Sequence, residues 1–209
     1  MSAANRSESR VAFDVYPTPA WCVHRLLEEV ELPGGHWCEP AAGDGAIIRA
    51  VRDVRRDVTW SALELRSECQ AALVKEGAEV QIGDALESPW QLRPELLTLV
   101  ITNPPYALAE AFLARALEAS TSVALLLRLD FLGSERRSGL FRRVPPDIHV
   151  LPNRPSFVAG RTDASEYAWF VWRHYRDRRY GNVGVLATTP REVRIPRRAP
   201  VTHAAPTGA

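Results

Sequence analysis

The chain has 209 residues, 46% hydrophobic and 24% charged, with a formal net charge of +1, enough for one ordinary domain with a real core. That composition excludes a disordered or fibrous chain, and with no long apolar run and no leader-like start, a cytoplasmic protein with no membrane span is expected. Cys22, Cys38 and Cys69 are odd in number and lack Cys-x-x-Cys spacing, which argues against a disulfide framework and a zinc site, so buried thiols and no metal are expected.

Residues 1–12 are polar and aperiodic and read as a flexible terminus. Phe13-Asp14-Val15-Tyr16-Pro17-Thr18-Pro19 then leads into Val23, Leu26, Leu27 and Val30 at helical spacing, which predicts a first helix with Thr18 as N-cap and Pro19 at the first helical position. Trp37-Cys38-Glu39-Pro40-Ala41-Ala42-Gly43-Asp44-Gly45-Ala46 reads as a short strand breaking into a glycine loop ahead of a second helix. Gly43 and Gly45 permit positive φ and close approach of a ligand to the backbone, and the helix start offers free amides. A dinucleotide loop would need a third glycine where Ile48 stands, and a Walker loop would need Gly-Lys-Ser/Thr.

Alternation over residues 59–64 predicts a second strand ending at Glu64, about twenty residues past the loop, where an acid accepts hydrogen bonds from ribose hydroxyls. Glu68 and Asp57 compete less well for that role. A third strand over 79–82 ends in Gly83-Asp84, a dipeptide that serves equally as a plain turn. The apolar run 96–101 is a buried parallel strand, stopped by Thr102-Asn103-Pro104-Pro105-Tyr106. Two prolines exclude helix and central strand alike and stiffen the loop. An amide side chain, acceptor carbonyls and an aromatic ring at a strand's carboxyl end are suited to a flat molecule with an amino group.

A helix is predicted over 109–119 and a buried strand over 122–132, with Arg128 and Asp130 at its polar end. Arg136, Arg137, Arg142 and Arg143 then crowd one short segment, either a solvated face or a phosphate clamp. Strands over 148–151 and 167–172 lie too close in sequence for a crossover helix and should pair antiparallel. Their connecting loop carries Arg154 and Phe157. Past residue 172, Arg173, Arg176, Arg178, Arg179, Arg191, Arg194, Arg197 and Arg198 face only Asp177 and Glu192, so residues 173–209 read as a basic, partly disordered extension suited to nucleic acid or to solubility.

Taken in order, Tyr-Pro-Thr-Pro, the Glu-Pro-x-x-Gly-x-Gly loop, the strand-end acids and Asn-Pro-Pro-Tyr resemble the gamma group of S-adenosylmethionine-dependent amino-methyltransferases. Small N6-adenine DNA methyltransferases of phages and mobile elements are the closest likeness, and it spans residues 13–172 as a catalytic domain. The resemblance implies an α/β chain with the class I methyltransferase (Rossmann-like) three-layer sandwich, its mostly parallel sheet ending in an antiparallel strand pair. It implies S-adenosylmethionine as cofactor, with Tyr16, Pro17 and Thr18 against the methionine end. Glu39 would hold the methionine amine beside Pro40 and Ala41, Gly43 and Gly45 would make room for ribose and methionine, Glu64 would take the ribose, and Asp84 the exocyclic amine of the cofactor's adenine. Asn103, Pro104, Pro105 and Tyr106 would form the catalytic loop, with Asn103 also bordering the cofactor, and Tyr106 and Phe157 would stack on an extruded base. DNA is the implied partner, with Arg136, Arg137 and Arg154 as candidate contacts.

Restriction enzymes of this group carry a large recognition domain after the catalytic one, and only some forty residues follow here, so sequence specificity is expected to be short or loose, or to be provided by the arginine loops. Cytosine N4 in DNA, adenine in RNA, glutamine N5 in protein, or a noncatalytic nucleic-acid-binding module on the same fold remain alternatives.

Overall fold

Strands that are apolar at successive positions need cover on both faces. The computed structural model, which describes residues 17–90, 97–157, 164–173 and 181–194, supplies it with helices on either side of one eight-stranded sheet. The strands are β1 (Gly35–Glu39), β2 (Val58–Glu64), β3 (Ala78–Ile82), β4 (Leu97–Thr102), β5 (Ser122–Arg128), β6 (Asp147–Leu151), β7 (Tyr167–Arg173) and β8 (Val183–Val185). Their order is β3-β2-β1-β4-β5-β7-β6-β8. The first five are parallel, β7 runs antiparallel to both β5 and β6, and β8 is parallel to β6. The predicted antiparallel pair is therefore present.

The helices are α1 (Ala20–Glu29), α2 (Ala46–Val54), α3 (Gln70–Lys75), α4 (Ala109–Ala119), α5 (Glu135–Arg143) and α6 (Arg191–Arg194). Alternation along β7 shows how the layers are made. Tyr167, Trp169 and Val171 face Trp21 and Leu26 of α1, Ile48 and Val51 of α2 and Leu73 of α3. Ala168, Phe170 and Trp172 face Phe112 and Leu113 of α4 and Phe131. The two indoles of β7 enter the core with their polar atoms satisfied: Trp169 donates to the Cys22 carbonyl at 2.8 Å and Trp172 to that of Val144 at 3.0 Å. The three cysteines are buried thiols.

Several local expectations change. Helix α1 begins at Ala20 with Pro19 in the N-cap position and no side-chain cap, so Thr18 does not cap it. Pro19 has ψ 131°, an extended geometry that keeps Thr18 outside the first turn and leaves its hydroxyl for another partner. The strand predicted to reach residue 132 ends at Arg128, followed by a 3-10 turn over Leu129–Leu132. The arginine-rich segment after it folds as α5.

Part of the segment set aside as an extension is built into the fold. Strand β8 borders β6, Leu186 is buried, Ala187 N–H donates to Glu29 Oε1 at 2.7 Å and Thr189 N–H to Asn153 Oδ1 at 2.6 Å. Arg176, Arg178, Arg179, Arg197 and Arg198 lie outside the described residues. Among the described residues no helix is long and apolar enough to cross a membrane.

Candidate active site

The order β3-β2-β1-β4 sets four polar residues along one edge of the sheet. Asp84 lies just past β3, Glu64 ends β2, Glu39 ends β1, and Asn103 follows β4. The order of strands reverses between β1 and β4, and in open α/β sheets ligands bind at the carboxyl ends at such a reversal. Glu39 and Asn103 therefore flank the point where the topology itself places a site.

Between β1 and α2 the backbone takes positive φ at Gly43 (55°) and Gly45 (81°). At Gly45 a Cβ would stand 3.3 Å from a Leu73 methyl, so the tight turn into α2 and its contact with α3 both favour glycine. Gly43 turns its N–H onto Glu64 Oε2 at 2.7 Å. The other oxygen of Glu64 accepts from Arg66 N–H at 3.0 Å and from Arg66 Nε at 2.8 Å. Glu64 is thus fixed against the glycine loop with both oxygens engaged.

Glu39 is placed otherwise. It is 3% exposed, and its Oε2 has no hydrogen-bond partner among the described residues. Burial, with repulsion from Asp44 and Glu64, holds its carboxyl well above the usual carboxylate range against the opposing pull of Arg49 and a backbone hydrogen bond from Ile48. Leaving such an atom unmatched costs about 1–3 kcal/mol, and an ammonium group would remove that cost. The orphaned oxygen and the glycine loop together fit an amino-acid-bearing cofactor such as S-adenosylmethionine.

Asn103 is held from two sides. Its Nδ2 donates to Thr18 Oγ1 at 3.1 Å, and its Oδ1 accepts from the Tyr106 hydroxyl at 3.0 Å. Tyr106 continues into an aromatic row: its ring lies 5.8 Å from that of Tyr167, which lies 5.1 Å from Phe157. Sequence reasoning missed Tyr167 as the link, since it reads there only as a strand residue. Thr18, Ala46, Arg49 and Phe157 also border a cleft of about 990 Å³ that extends to Lys75 and Glu76.

Other expected residues are elsewhere or otherwise employed. Asp84 is exposed and accepts from Leu86 N–H at 2.8 Å in a local turn. Arg136 pairs with Glu110 (Nε to Oε2, 3.0 Å) and Arg154 with Glu166 (Nε to Oε1, 2.9 Å). Arg137 donates to the Phe131 carbonyl at 2.9 Å and stands 4.3 Å over that ring. These three arginines are partnered within the chain. Tyr16 lies outside the described residues. Sequence reasoning also missed Arg66, which holds Glu64 through its N–H and its Nε.

No protein-family model and no curated protein matches the sequence. Solved structures match in fold. A candidate RNA methyltransferase from Pyrococcus horikoshii is 18% identical, with a TM-score of 0.60 over 80% of this chain and 91% of that one. A dimethyladenosine transferase from Plasmodium falciparum is 11% identical, with a TM-score of 0.55 over 76% and 62%. The modification subunit of a candidate type I restriction enzyme from Vibrio vulnificus is 15% identical, with a TM-score of 0.55 over 87% and 46%. The fold is that of the class I S-adenosylmethionine-dependent methyltransferases.

Proposed function

We propose that this chain is an S-adenosylmethionine-dependent methyltransferase acting on the exocyclic amine of a nucleic-acid base, foremost adenine N6 in DNA. The observation that carries this reading is the Asn103 amide at the reversal point, its oxygen already accepting a hydrogen from Tyr106 one strand away from the orphaned carboxylate oxygen of Glu39. When bound, the cofactor supplies an electrophilic methyl on a sulfonium. Glu39 would hold its amine, Glu64 its ribose hydroxyls and Asp84 its adenine amine, with Pro17, Thr18, Pro40 and Ala41 as walls and Gly43 and Gly45 allowing close approach.

An aromatic amine is a poor nucleophile because its lone pair is delocalised into the ring. Asn103 Oδ1 and the Pro104 carbonyl would accept its two hydrogens, draw the nitrogen toward tetrahedral geometry and stabilise the positive charge that builds on it, without reorganising. Pro105 stiffens that loop. Tyr106 and Phe157 would hold the flat ring, with stacking contributing about 1–3 kcal/mol per base. Extruding the base from a duplex costs a few kcal/mol, so mismatched or single-stranded targets should react more readily.

The test is tritium transfer from labelled cofactor to DNA and to RNA, followed by nucleoside analysis. N6-methyladenine in DNA is the expected product, and N4-methylcytosine alone overturns the base assignment. Adenine in RNA is the second reading, favoured by structurally similar proteins named an RNA methyltransferase and a dimethyladenosine transferase; label in RNA alone would select it. No cofactor binding by calorimetry overturns the enzyme and leaves a binding module.

A further inference from the structure

We propose that Thr18 is a positioning residue that sets which way the Asn103 amide faces, and that the Tyr106 hydroxyl occupies the amide oxygen until the target amine replaces it. This rests on the amine-methylation reading above. A carboxamide has two ends of nearly equal shape and opposite hydrogen-bonding character. Turned by 180°, Asn103 would present N–H groups to an amine whose own hydrogens need an acceptor, and the site would repel its substrate. Catalysis therefore depends on a choice of orientation that the asparagine alone does not make.

The structure assigns that choice to two hydroxyls. Thr18, 85 residues away in sequence, accepts from Nδ2 at 3.1 Å, and it is 6% exposed. Its hydroxyl caps no helix, and the flanking Pro17 and Pro19 restrict the backbone that carries it. On the other side Tyr106 donates to Oδ1 at 3.0 Å. A phenol is the stronger donor of the two hydroxyls and an aliphatic hydroxyl the stronger acceptor, so the pair favours oxygen toward Tyr106 and nitrogen toward Thr18. The bond from Tyr106 reproduces the one the target amine must make. Base entry then exchanges an O–H donor for an N–H donor at the same acceptor while the tyrosine ring stays available for stacking.

The two hydroxyls predict opposite effects, which separates them from general damage. T18V lowers kcat at least about tenfold while the cofactor Kd stays within about twofold, and T18S restores most of the rate, because only the acceptor atom is at stake. Y106F lowers the KM for nucleic acid about two- to tenfold, the equivalent of one net hydrogen bond no longer competing. Unchanged kcat in T18V, or cofactor affinity lost in proportion to kcat, overturns the positioning role and leaves Thr18 as a cofactor wall. A raised KM in Y106F overturns the occupancy.

The Asn103 side-chain amide resonances in ¹⁵N-labelled protein give a readout that needs no turnover: both variants should shift them. If wild type transfers no methyl group while those shifts occur, the methylation reading fails and the two-hydroxyl clamp stands. If they do not occur, the clamp fails.

Discussion

Glu39 and Asn103 end neighbouring strands, yet the protein treats them in opposite ways. Glu39 is buried with an oxygen that nothing in the described chain satisfies. Asn103 has both ends of its amide engaged, and Glu64 on the far side of β1 is likewise satisfied by Gly43 and Arg66. In the proposed function the acid of β1 would gain from a cation, whereas the other two positions would exchange internal donors for ligand donors. Binding energy should therefore concentrate at Glu39, and selectivity and rate at Asn103.

The largest effect expected is on rate. Asn103→Ala should lower kcat by about 10²–10³-fold, the loss typical of one preorganised group, while cofactor affinity stays within about severalfold because the groups at β1 and β2 are untouched. Cofactor titration and single-turnover kinetics on the same protein check this, and parallel loss of both would erase the contrast between the two positions.

Glu39→Gln should do the reverse, weakening cofactor binding by about tenfold to a hundredfold, the range for a hydrogen bond to a charged group. The same variant should melt no lower than wild type at alkaline pH without cofactor, since it removes a carboxylate held in a costly place.

The sign of the pH dependence follows from the raised carboxyl of Glu39. Because the folded protein holds that proton more tightly than the unfolded chain, the associated stability is complete below the ordinary glutamate range and is lost as pH rises through the raised value. Melting curves of wild type should show this fall and Glu39→Gln should lack it. An ammonium beside Glu39 favours the ionised form, so cofactor binding below the raised pKa should release a proton, seen as a buffer-dependent calorimetric enthalpy. Identical enthalpies in buffers of different ionisation heat would place the cofactor's amine elsewhere.

The smallest effect is expected at an exposed ion pair. Arg136→Ala removes an exposed pair with Glu110 and should change stability by about 0–1 kcal/mol. If its effect on the salt slope of nucleic-acid binding is also less than about one counterion, the pair is structural.

Much of the scaffold was legible because it follows from local periodicity. The helix predicted over 109–119 is α4 at both ends, and the closeness of β6 and β7 in sequence led directly to their antiparallel pairing. The apolar run 96–101 became β4 with one residue's displacement. The arginines were less legible. Arg136 and Arg154 looked available because Glu110 and Glu166 are 26 and 12 residues away in sequence, and only the fold brings each pair together. Thr18 read as a helix cap for a similar reason: the local rule for its sequence is sound, but a partner from β4 and the extended Pro19 took precedence.

The sequence by itself determined the strand-end acids, the glycine loop and the stiff Asn-Pro-Pro-Tyr turn, because residue type and short spacing control backbone geometry and the polarity offered at each strand end. Only the tertiary structure decided which of those polar groups are already satisfied. The hydrogen bond between Asn103 and Thr18, or the lack of one at Glu39 Oε2 among the described residues, depends on which distant segments the sheet brings within about 3 Å, and no local pattern encodes that.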